Sequence, residues 1–364
     1  TFDFKNAPKA YDIIVEKSEQ FLGILLSYDL SNELKKTVRI SEKSFEPNAA
    51  NIGLIGAGSF AQNFLLPALK GNAGMVTLAT ARPNNARNIG DRYGFATISG
   101  NAEDVFSDKR LNTVFIATRH DSHAAYVLRA LESDKNVFVE KPLCLHPDEL
   151  DTIRRAYEGR NVRLMVGFNR RFAPFTKKLK EQHTSGGPVA INYRINAGNV
   201  TSGHWVHDPN VGGGRIIGEA CHFIDYCMFI AGAPMVSISA SCLDVKGGSN
   251  DTAAFQLQFS NGSIATISYF SNGNPHLPKE RIEVFGNGIV SVIEDFKTMT
   301  VYSKSITKET MSQDKGHAAG VKAFLNAVNA GSAAPIPFDE IDLVTRATFA
   351  ALESIAMSGA LIRL

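Results

Sequence analysis

The sequence is poor in the residues that mark metal sites, disulfide scaffolds and membrane spans. Its 364 residues include four cysteines and one tryptophan. None of the cysteines (Cys144, Cys221, Cys227 and Cys242) forms a Cys-x-x-Cys pair, so we expect reduced, mostly buried thiols and a cytoplasmic protein. No apolar run reaches the roughly 18–20 residues that a membrane-spanning helix needs.

The charges are nearly balanced. Lys and Arg number 38 and Asp and Glu 36, which gives a formal net charge of +2. A protein that binds nucleic acid or a membrane surface carries a basic patch, and the composition favours neither partner. With 44% hydrophobic and 20% charged residues, the chain has the composition of a globular protein, and its length suits two domains.

A glycine-rich turn is the most informative local pattern. An apolar stretch over 52–55 leads into Gly56-x-Gly58-x-x-Ala61, and a helical pattern follows over 60–70. This order suits a dinucleotide: one glycine turns the chain, the next leaves room for the pyrophosphate, and Ala61 lets helix and strand pack closely. Because a helix N-terminus offers free N–H groups, we expect the diphosphate near Gly56, Gly58, Ser59, Phe60 and Ala61. Such triplets also occur in ordinary turns.

From residue 51 the pattern alternates strand and helix, which predicts a parallel sheet. The predicted strands are 52–56, 75–80, 96–98, 113–117, 136–139 and 163–167, and the helices are 60–70, 84–93, 102–108, 121–132 and 146–158.

After Gly167 the pattern predicts a largely antiparallel sheet. Two Asn-Gly pairs, in 260–262 and 286–288, stand between apolar runs and indicate hairpins. The predicted strands are 189–197, 236–246, 253–259, 263–270, 281–285, 289–294 and 299–302, with helices at 215–231, 317–330 and 338–358. The fold class is therefore α/β, a doubly wound parallel sheet of Rossmann type followed by a large, mostly antiparallel open sheet.

The first 50 residues differ in pattern from the rest of the chain. Residues 10–15 have a helical pattern, 22–28 a strand pattern, and 41–51 is polar with Pro47. The segment resembles the C-terminal tail of zinc-dependent, alcohol-dehydrogenase-like enzymes, which would make the chain the downstream part of a fusion; an extension that packs on the main body is the alternative. We therefore expect an extension over 1–50, a dinucleotide-binding domain over 51–170, a substrate and oligomerisation domain over 171–335 and a closing helix over 336–364.

Two groups could carry proton chemistry. Lys141, in Glu140-Lys-Pro142, follows the fifth predicted strand, where ligands of such sheets bind; a solvated lysine is the alternative. Glu219 and His222 are three residues apart and share a helix face. Histidine is the usual proton acceptor near pH 7, although a histidine bonded to a backbone carbonyl would give the same pattern.

Further candidates are Asn169 and Arg170, which directly follow the last predicted strand of the first half and could reach substrate or cofactor. The segment His204-Trp-Val-His207 lacks the companions of a metal site, and we expect no metal. Trp205 could stack on a sugar or serve packing alone.

Taken in order, these motifs resemble the glucose–fructose oxidoreductase / inositol dehydrogenase / rhizopine-catabolism family (Gfo/Idh/MocA) over residues 51–364. The residues that carry the resemblance are Gly56-x-Gly58, Thr118 with His123, Glu140-Lys141-Pro142, Gly167-Phe-Asn-Arg-Arg-Phe172, and Gly213-Gly-Arg with His222 and Asp225.

The resemblance implies hydride transfer between a nicotinamide and a hydroxyl-bearing carbon of a sugar, sugar nucleotide or cyclitol. It places Lys141 on the reacting hydroxyl, makes His222 the proton-transfer group, and implies cofactor contacts from Thr118, His123, Glu140, Pro142 and Arg170 and substrate contacts from Asn169, Trp205 and His207. Many members have an aspartate four residues before the histidine; here that residue is Gly218, and Glu219 is the candidate replacement.

Cofactor choice depends on residues 80–82, where an acid would bind the ribose 2′-hydroxyl. The sequence has Thr80, Ala81 and Arg82 there. Arg82 could pair with a 2′-phosphate, which favours NADP(H); stacking of Arg82 on adenine with NAD(H) is the alternative. The family also implies a homodimer or homotetramer through the open sheet, and a non-catalytic dinucleotide-binding sensor is the alternative function.

Overall fold

The computed structural model of the chain describes residues 1–29, 37–81, 83–183, 187–244 and 251–364. It contains two large sheets and a small N-terminal unit. Within the described residues, no helix is long and apolar enough to cross a bilayer.

The N-terminal unit is a strand, a helix and a second strand. β1 and β2 pair in parallel with each other, and α1 lies between them in the chain. Their bounds are β1 (Phe2–Asp3), α1 (Ala7–Glu16) and β2 (Leu26–Ser27). The strand predicted over 22–28 is thus reduced to two residues. Several apolar side chains here are largely exposed, among them Val15, Leu22 and Leu25.

The first large sheet has seven strands in the order β3-β6-β5-β4-β7-β8-β9. All neighbours are parallel except β3, which pairs antiparallel with β6 at the edge. The central strands β4 and β7 are buried along their whole length, as expected where helices cover both faces. The elements are β3 (Thr37–Arg39), β4 (Asn51–Ile55), α2 (Leu66–Leu69), β5 (Gly74–Ala79), α3 (Pro83–Tyr93), β6 (Thr97–Ser99), α4 (Glu103–Ser107), β7 (Thr113–Ile116), α5 (His123–Glu132), β8 (Asn136–Val139), α6 (Pro147–Tyr157) and β9 (Leu164–Val166).

The second sheet has nine strands in the order β17-β16-β15-β14-β10-β13-β12-β11-β18. Among the described strands of this sheet, β10 and β13 are the one parallel pair, and the other neighbours are antiparallel. The elements are α7 (Pro174–His183), β10 (Ala190–Asn196), α8 (Cys221–Ala231), β11 (Met235–Cys242), β12 (Ala253–Phe259), β13 (Ile264–Phe270), β14 (Glu280–Gly286), β15 (Ile289–Glu294), β16 (Thr298–Tyr302), β17 (Ile306–Thr310), α9 (His317–Ala330), α10 (Phe338–Ala356) and β18 (Ile362–Arg363).

Aromatic contacts join the elements into one core. Phe223 and Tyr226 of α8 pack edge-on against Tyr193 on the inner face of the second sheet. Phe324 of α9 packs edge-on against Phe115 and Phe138 of the first sheet. The chain therefore returns from the second sheet to cover the first.

These observations confirm the predicted fold class, a Rossmann-type parallel sheet followed by a mostly antiparallel one. Helix α7 was not predicted from the sequence, and strand β3 lies within the segment that we assigned to an extension. The strand predicted over 236–246 ends at Cys242, and its residues 245–246 lie outside the described ranges.

Candidate functional site

The glycine turn follows β4 directly. Gly56 has a φ of +93°, and a Cβ there would lie 2.5 Å from the carbonyl oxygen of Ala117, so only glycine suits both the turn and the close approach of β7. At Gly58 a Cβ would meet nothing within 4 Å, and φ is not positive. Packing within the described chain therefore does not explain the glycine at position 58. A bound group that approaches the backbone closely would explain it.

A helical segment starts beside this turn. Ser59 and Phe60 are exposed, Ala61 is buried, and a π-helical turn (Ala61–Leu65) leads into α2. The first N–H groups of a helix lack intrahelical acceptors and suit an anion. Together with the open surface over Gly58, this arrangement fits the diphosphate of a dinucleotide.

His123 links the ends of two neighbouring strands. Its Nδ1 lies 2.7 Å from the Pro142 carbonyl oxygen, and its Nε2 lies 3.3 Å from that of Thr118. The Thr118 hydroxyl accepts a hydrogen bond of 2.6 Å from Ser122. His123 and Pro142 are thus buried supports of the site, while Thr118 is only half-buried.

The side chain of Lys141, which follows β8 of the first sheet, contacts the turn that precedes α8. Its Nζ donates a 2.9 Å hydrogen bond to the carbonyl oxygen of Gly218. Gly218 lies in a π-helical turn (Ile216–Ala220) that precedes α8, and π-turns are frequent at functional sites. Lys141 is half-buried, so its ammonium is partly shielded from water where it meets the π-turn.

Glu219 and His222 lie close to this ammonium. Burial raises the pKa of Glu219, but the charges of Lys141, Arg215 and Lys279 contribute to a net shift below its usual range. The Arg215 Nε lies 3.2 Å from Glu219. Burial, followed by the charges of Arg170 and Lys141, holds the pKa of His222 well below its usual range. The imidazole is therefore neutral near pH 7.

The Nδ1 atom of His222 is buried, and among the described residues it has no hydrogen-bond partner. Asp225, one helical turn further on, does not serve it, because the Asp225 carboxylate accepts hydrogen bonds from Arg171, including one of 3.1 Å from Nε. An unpartnered polar atom at this depth is costly and indicates a site arranged for a ligand.

Asn169 and Arg170 belong to a buried network beside the cleft. The Asn169 side-chain amide donates to the Lys315 carbonyl oxygen at 2.7 Å. Arg170 donates two hydrogen bonds of 2.7 and 3.0 Å to Glu280. Glu280 also accepts from Lys315 at 2.7 Å and from the Tyr193 hydroxyl. Both predicted ligand-binding side chains thus already use donors within the protein.

Glu140 is buried below the cleft. Burial raises its pKa to about 7, against the opposing charge of Lys141. Its carboxylate lies against Gly167, where a Cβ would come within 2.7 Å of Oε1. Gly167 therefore makes room for this carboxyl group.

The loop with Trp205 closes one side of the site. The Trp205 ring meets the ring of His120 edge-on at 4.8 Å, and the Arg119 guanidinium lies over it at 5.6 Å. His207 Nε2 lies 3.3 Å from the Val200 carbonyl oxygen. The described residues contain no group of three or more His, Cys, Asp or Glu placed to hold a metal ion.

His120 is a site residue that was not predicted from the sequence. It lies two residues beyond Thr118 at the end of β7, where ligands of parallel sheets bind, and this position was the available signal. By contrast, the predicted cofactor residue Arg82 lies outside the described residues.

Comparisons with known proteins agree with this geometry. Residues 50–168 match the model of the oxidoreductase family with an NAD-binding Rossmann fold, and residues 176–288 match the GFO/IDH/MocA C-terminal domain. A myo-inositol 2-dehydrogenase of Thermotoga maritima is 27% identical over 253 residues, which cover 65% of this chain and 72% of that protein. A D-xylose 1-dehydrogenase (NADP(+)) of Haloferax volcanii is 24% identical, over 86% of this chain and 99% of that protein.

Among solved structures, a levoglucosan dehydrogenase in complex with NADH and levoglucosan superposes with a TM-score of 0.76 at 19% identity, over 86% of this chain and 99% of that one. This likeness shows the fold. Both halves of the chain match their family models in the expected order, and the chain therefore belongs to the Gfo/Idh/MocA family of oxidoreductases.

Proposed function

We propose that the chain oxidises or reduces a hydroxyl-bearing carbon of a sugar, sugar nucleotide or cyclitol, with NAD(P) as the hydride carrier. The observation that carries this proposal is the meeting of Lys141 with the π-turn that bears Glu219, beside the neutral imidazole of His222. A cation and a neutral base at one cleft are what removal of a hydroxyl proton requires.

The residues have separable roles in this proposal. The N–H groups after Gly58 would hold the diphosphate, and the nicotinamide, when bound, supplies or accepts the hydride. Lys141 Nζ holds the reacting hydroxyl oxygen and stabilises the negative charge that develops there. The imidazole of His222 takes up the proton. The negative charge of Glu219 stabilises the positively charged forms of Lys141 and His222. Burial of the cleft excludes water from these groups.

For the cofactor, we propose NADP(H) in preference to NAD(H). The support is the sequence after β5, where Thr80, Ala81 and Arg82 replace the acid that would bind a ribose 2′-hydroxyl. The change Arg82→Ala is expected to raise the KM for NADP⁺ about tenfold and leave that for NAD⁺ unchanged. Equal effects on both cofactors would contradict the preference.

We also propose that the chain forms a homo-oligomer through the second sheet. One register row on the outer face is apolar across six strands. Its members are Ile264, Ala190, Phe285, Val290, Tyr302 and Ile306. Four of them are among the exposed large hydrophobic side chains, and exposed apolar patches of this kind mark association surfaces.

The resemblance of the first residues to the tail of a zinc-dependent dehydrogenase also remains a proposal. It is supported by the family match, which begins at residue 50, and by the largely exposed apolar side chains of α1 and of the segment just before β2. A two-stranded parallel unit is not stable by itself, so a further α/β surface would have to cover it.

The activity is tested with purified protein, NAD⁺ or NADP⁺, and a panel of myo-inositol, D-xylose and levoglucosan. We expect turnover of at least one of these. The change Lys141→Ala should lower kcat by about 100-fold or more while dinucleotide binding, followed by NADPH fluorescence, is retained. Lys177→Ala, at an exposed position of α7, is the matched control. Wild-type turnover by the Lys141 variant would contradict these roles, and binding without turnover on any substrate would favour the sensor.

A further inference from the structure

His120 is held in one orientation at the mouth of the cleft. It is 7% exposed, and its Nδ1 lies 2.8 Å from the carbonyl oxygen of Gly212. A carbonyl only accepts hydrogen bonds, so Nδ1 carries the proton and Nε2 presents a lone pair. Burial and then the charge of Lys141 lower the pKa of His120 to about 3, which keeps Nε2 an acceptor over the whole physiological range.

Gly218 makes room for this ring. A Cβ at residue 218 would lie 2.8 Å from His120 Cε1, which is closer than atoms pack. The φ of Gly218 is not in the left-handed region, so the space that His120 occupies, rather than the backbone conformation, explains the glycine. The same residue accepts the hydrogen bond of Lys141 through its carbonyl oxygen. His120 and Lys141 therefore meet on one peptide unit.

His120 differs from its neighbour His123 in one decisive respect. Both ring nitrogens of His123 lie within hydrogen-bond distance of backbone carbonyl oxygens. Among the described residues, by contrast, His120 uses only Nδ1, and the edge of Trp205 leaves the ring fixed in place. Among the described residues, no donor pairs with this fixed, neutral acceptor beside the ammonium of Lys141.

We propose that His120 is a substrate-binding residue whose Nε2 accepts a hydrogen bond from a hydroxyl group of the polyol substrate, adjacent to the hydroxyl that Lys141 holds. The inference rests on the proposed function and deepens it. His120 would favour substrates that carry a hydroxyl donor next to the hydroxyl held by Lys141, over substrates with a carbonyl or carboxylate acceptor at that position. Sites that pair with a substrate hydroxyl reject analogues that lack it.

The first arm of the test needs no substrate. Gly218→Ala should lower Tm by about 2–10 °C, since overpacking must displace the ring. In a His120→Ala background the same change should cost much less. Gly203→Ala is the control, because a Cβ there meets nothing within 4 Å. Equal Tm losses from Gly218→Ala in both backgrounds would overturn the inference.

The second arm separates the two ring nitrogens. In His120→Asn the amide nitrogen can keep the bond to Gly212 while the acceptor at the Nε2 position is lost; in His120→Gln an amide oxygen can take the Nε2 position. With myo-inositol, D-xylose and levoglucosan as probes, we expect His120→Asn to raise KM about tenfold or more, with kcat within about threefold of wild type, and His120→Gln to recover part of the loss.

Binding is followed independently by the fluorescence of Trp205, the single tryptophan of the chain, which lies against the His120 ring. Unchanged KM and binding in His120→Asn would overturn the inference while leaving the proposed function standing. A wild-type protein that neither binds nor turns over any probe, but shows the coupled Tm losses, would contradict the proposed function and with it the substrate role of His120.

Discussion

The burial of Arg170 points to a structural role rather than a ligand-binding one. The sequence placed it near the cofactor, whereas its guanidinium forms a buried ion pair with Glu280. The change Arg170→Met leaves the Glu280 carboxylate buried, with Lys315 and Tyr193 as its remaining hydrogen-bond donors among the described side chains. We expect a loss of about 3–5 kcal/mol in the free energy of unfolding, since an uncompensated buried charge is costly. Urea denaturation of the two proteins measures it.

Arg281 provides the matched control for this change. Its ion pairs with Glu283 and Glu294 lie at the partly exposed surface of β14 and β15, so Arg281→Met should cost less than about 1 kcal/mol. If Arg170→Met instead folded as stably as wild type and lost dinucleotide affinity, Arg170 would be a cofactor residue as the sequence first indicated.

The site illustrates what a sequence can and cannot reveal. Gly56, Gly58 and Lys141 follow strands directly, so local pattern was enough to select them. The partner of Arg170 lies 110 residues away, and the ring that explains Gly218 lies at the end of the other sheet. No spacing rule connects such residues, because these contacts form only when the two sheets and their connecting segments pack together.

At the level of elements, the sequence pattern predicts structure where one face of a strand is buried or where a turn needs special residues. The turn at Asn287-Gly288 has positive φ at both residues, which is the conformation that favours Asn-Gly in hairpins. Helix α7 was missed because its exposed face is a run of Lys, Glu and Gln, although Phe175 and Leu179 are buried at helical spacing. The three-residue strand β3 has only exposed side chains and therefore no hydrophobic signal.

Two truncations test whether the N-terminal unit stabilises the rest of the chain. Removal of residues 1–29 should change Tm by less than about 2 °C, because β1 pairs only with β2 among the described strands. Removal of residues 1–44 also deletes β3 and the hydrogen bond from Ile40 N to Ala96 O, which exposes the edge of β6. We expect a clearly lower Tm for the longer deletion, measured by thermal unfolding monitored by circular dichroism.

The shorter deletion is the internal control for the longer one. If both deletions lowered Tm equally, the first 29 residues would be a structural part of the body. That result would favour the alternative in which this segment is an extension packed on the main chain rather than an element that binds a further domain.

For the molecule as a whole, buried and half-buried histidines shape how stability depends on pH. Burial lowers the pKa of five of them below 6.5: His120, His123, His183, His222 and His317. In the unfolded chain these groups take up protons as the pH falls below about 6.5. The unfolded state then binds more protons than the folded state. The free energy of unfolding therefore decreases as the pH is lowered.

Two buried acids oppose this trend. Burial raises the pKa of Glu140 to about 7 and that of Asp225 to about 6, so their folded forms bind protons first. The five histidines less these two acids leave up to three more protons on the unfolded chain than on the folded one. The free energy of unfolding therefore changes by at most about 4 kcal/mol per pH unit. We expect a lower urea midpoint at pH 5.5 than at pH 7.5; an equal or higher midpoint would mean that the histidines are protonated in the folded protein.

The proposed homo-oligomer depends on the apolar row of the second sheet. Phe285 lies near the centre of this row and is 45% exposed. Phe285→Glu places a charge in the proposed contact, where desolvation is unfavourable, and should convert the oligomer to a monomer in light scattering coupled to gel filtration. Val15→Glu, an equally drastic change at an exposed residue of α1, should leave the oligomer intact. An oligomer that survives Phe285→Glu but not Val15→Glu would place the interface on the N-terminal unit, because only contacts at the substituted surface respond to the new charge.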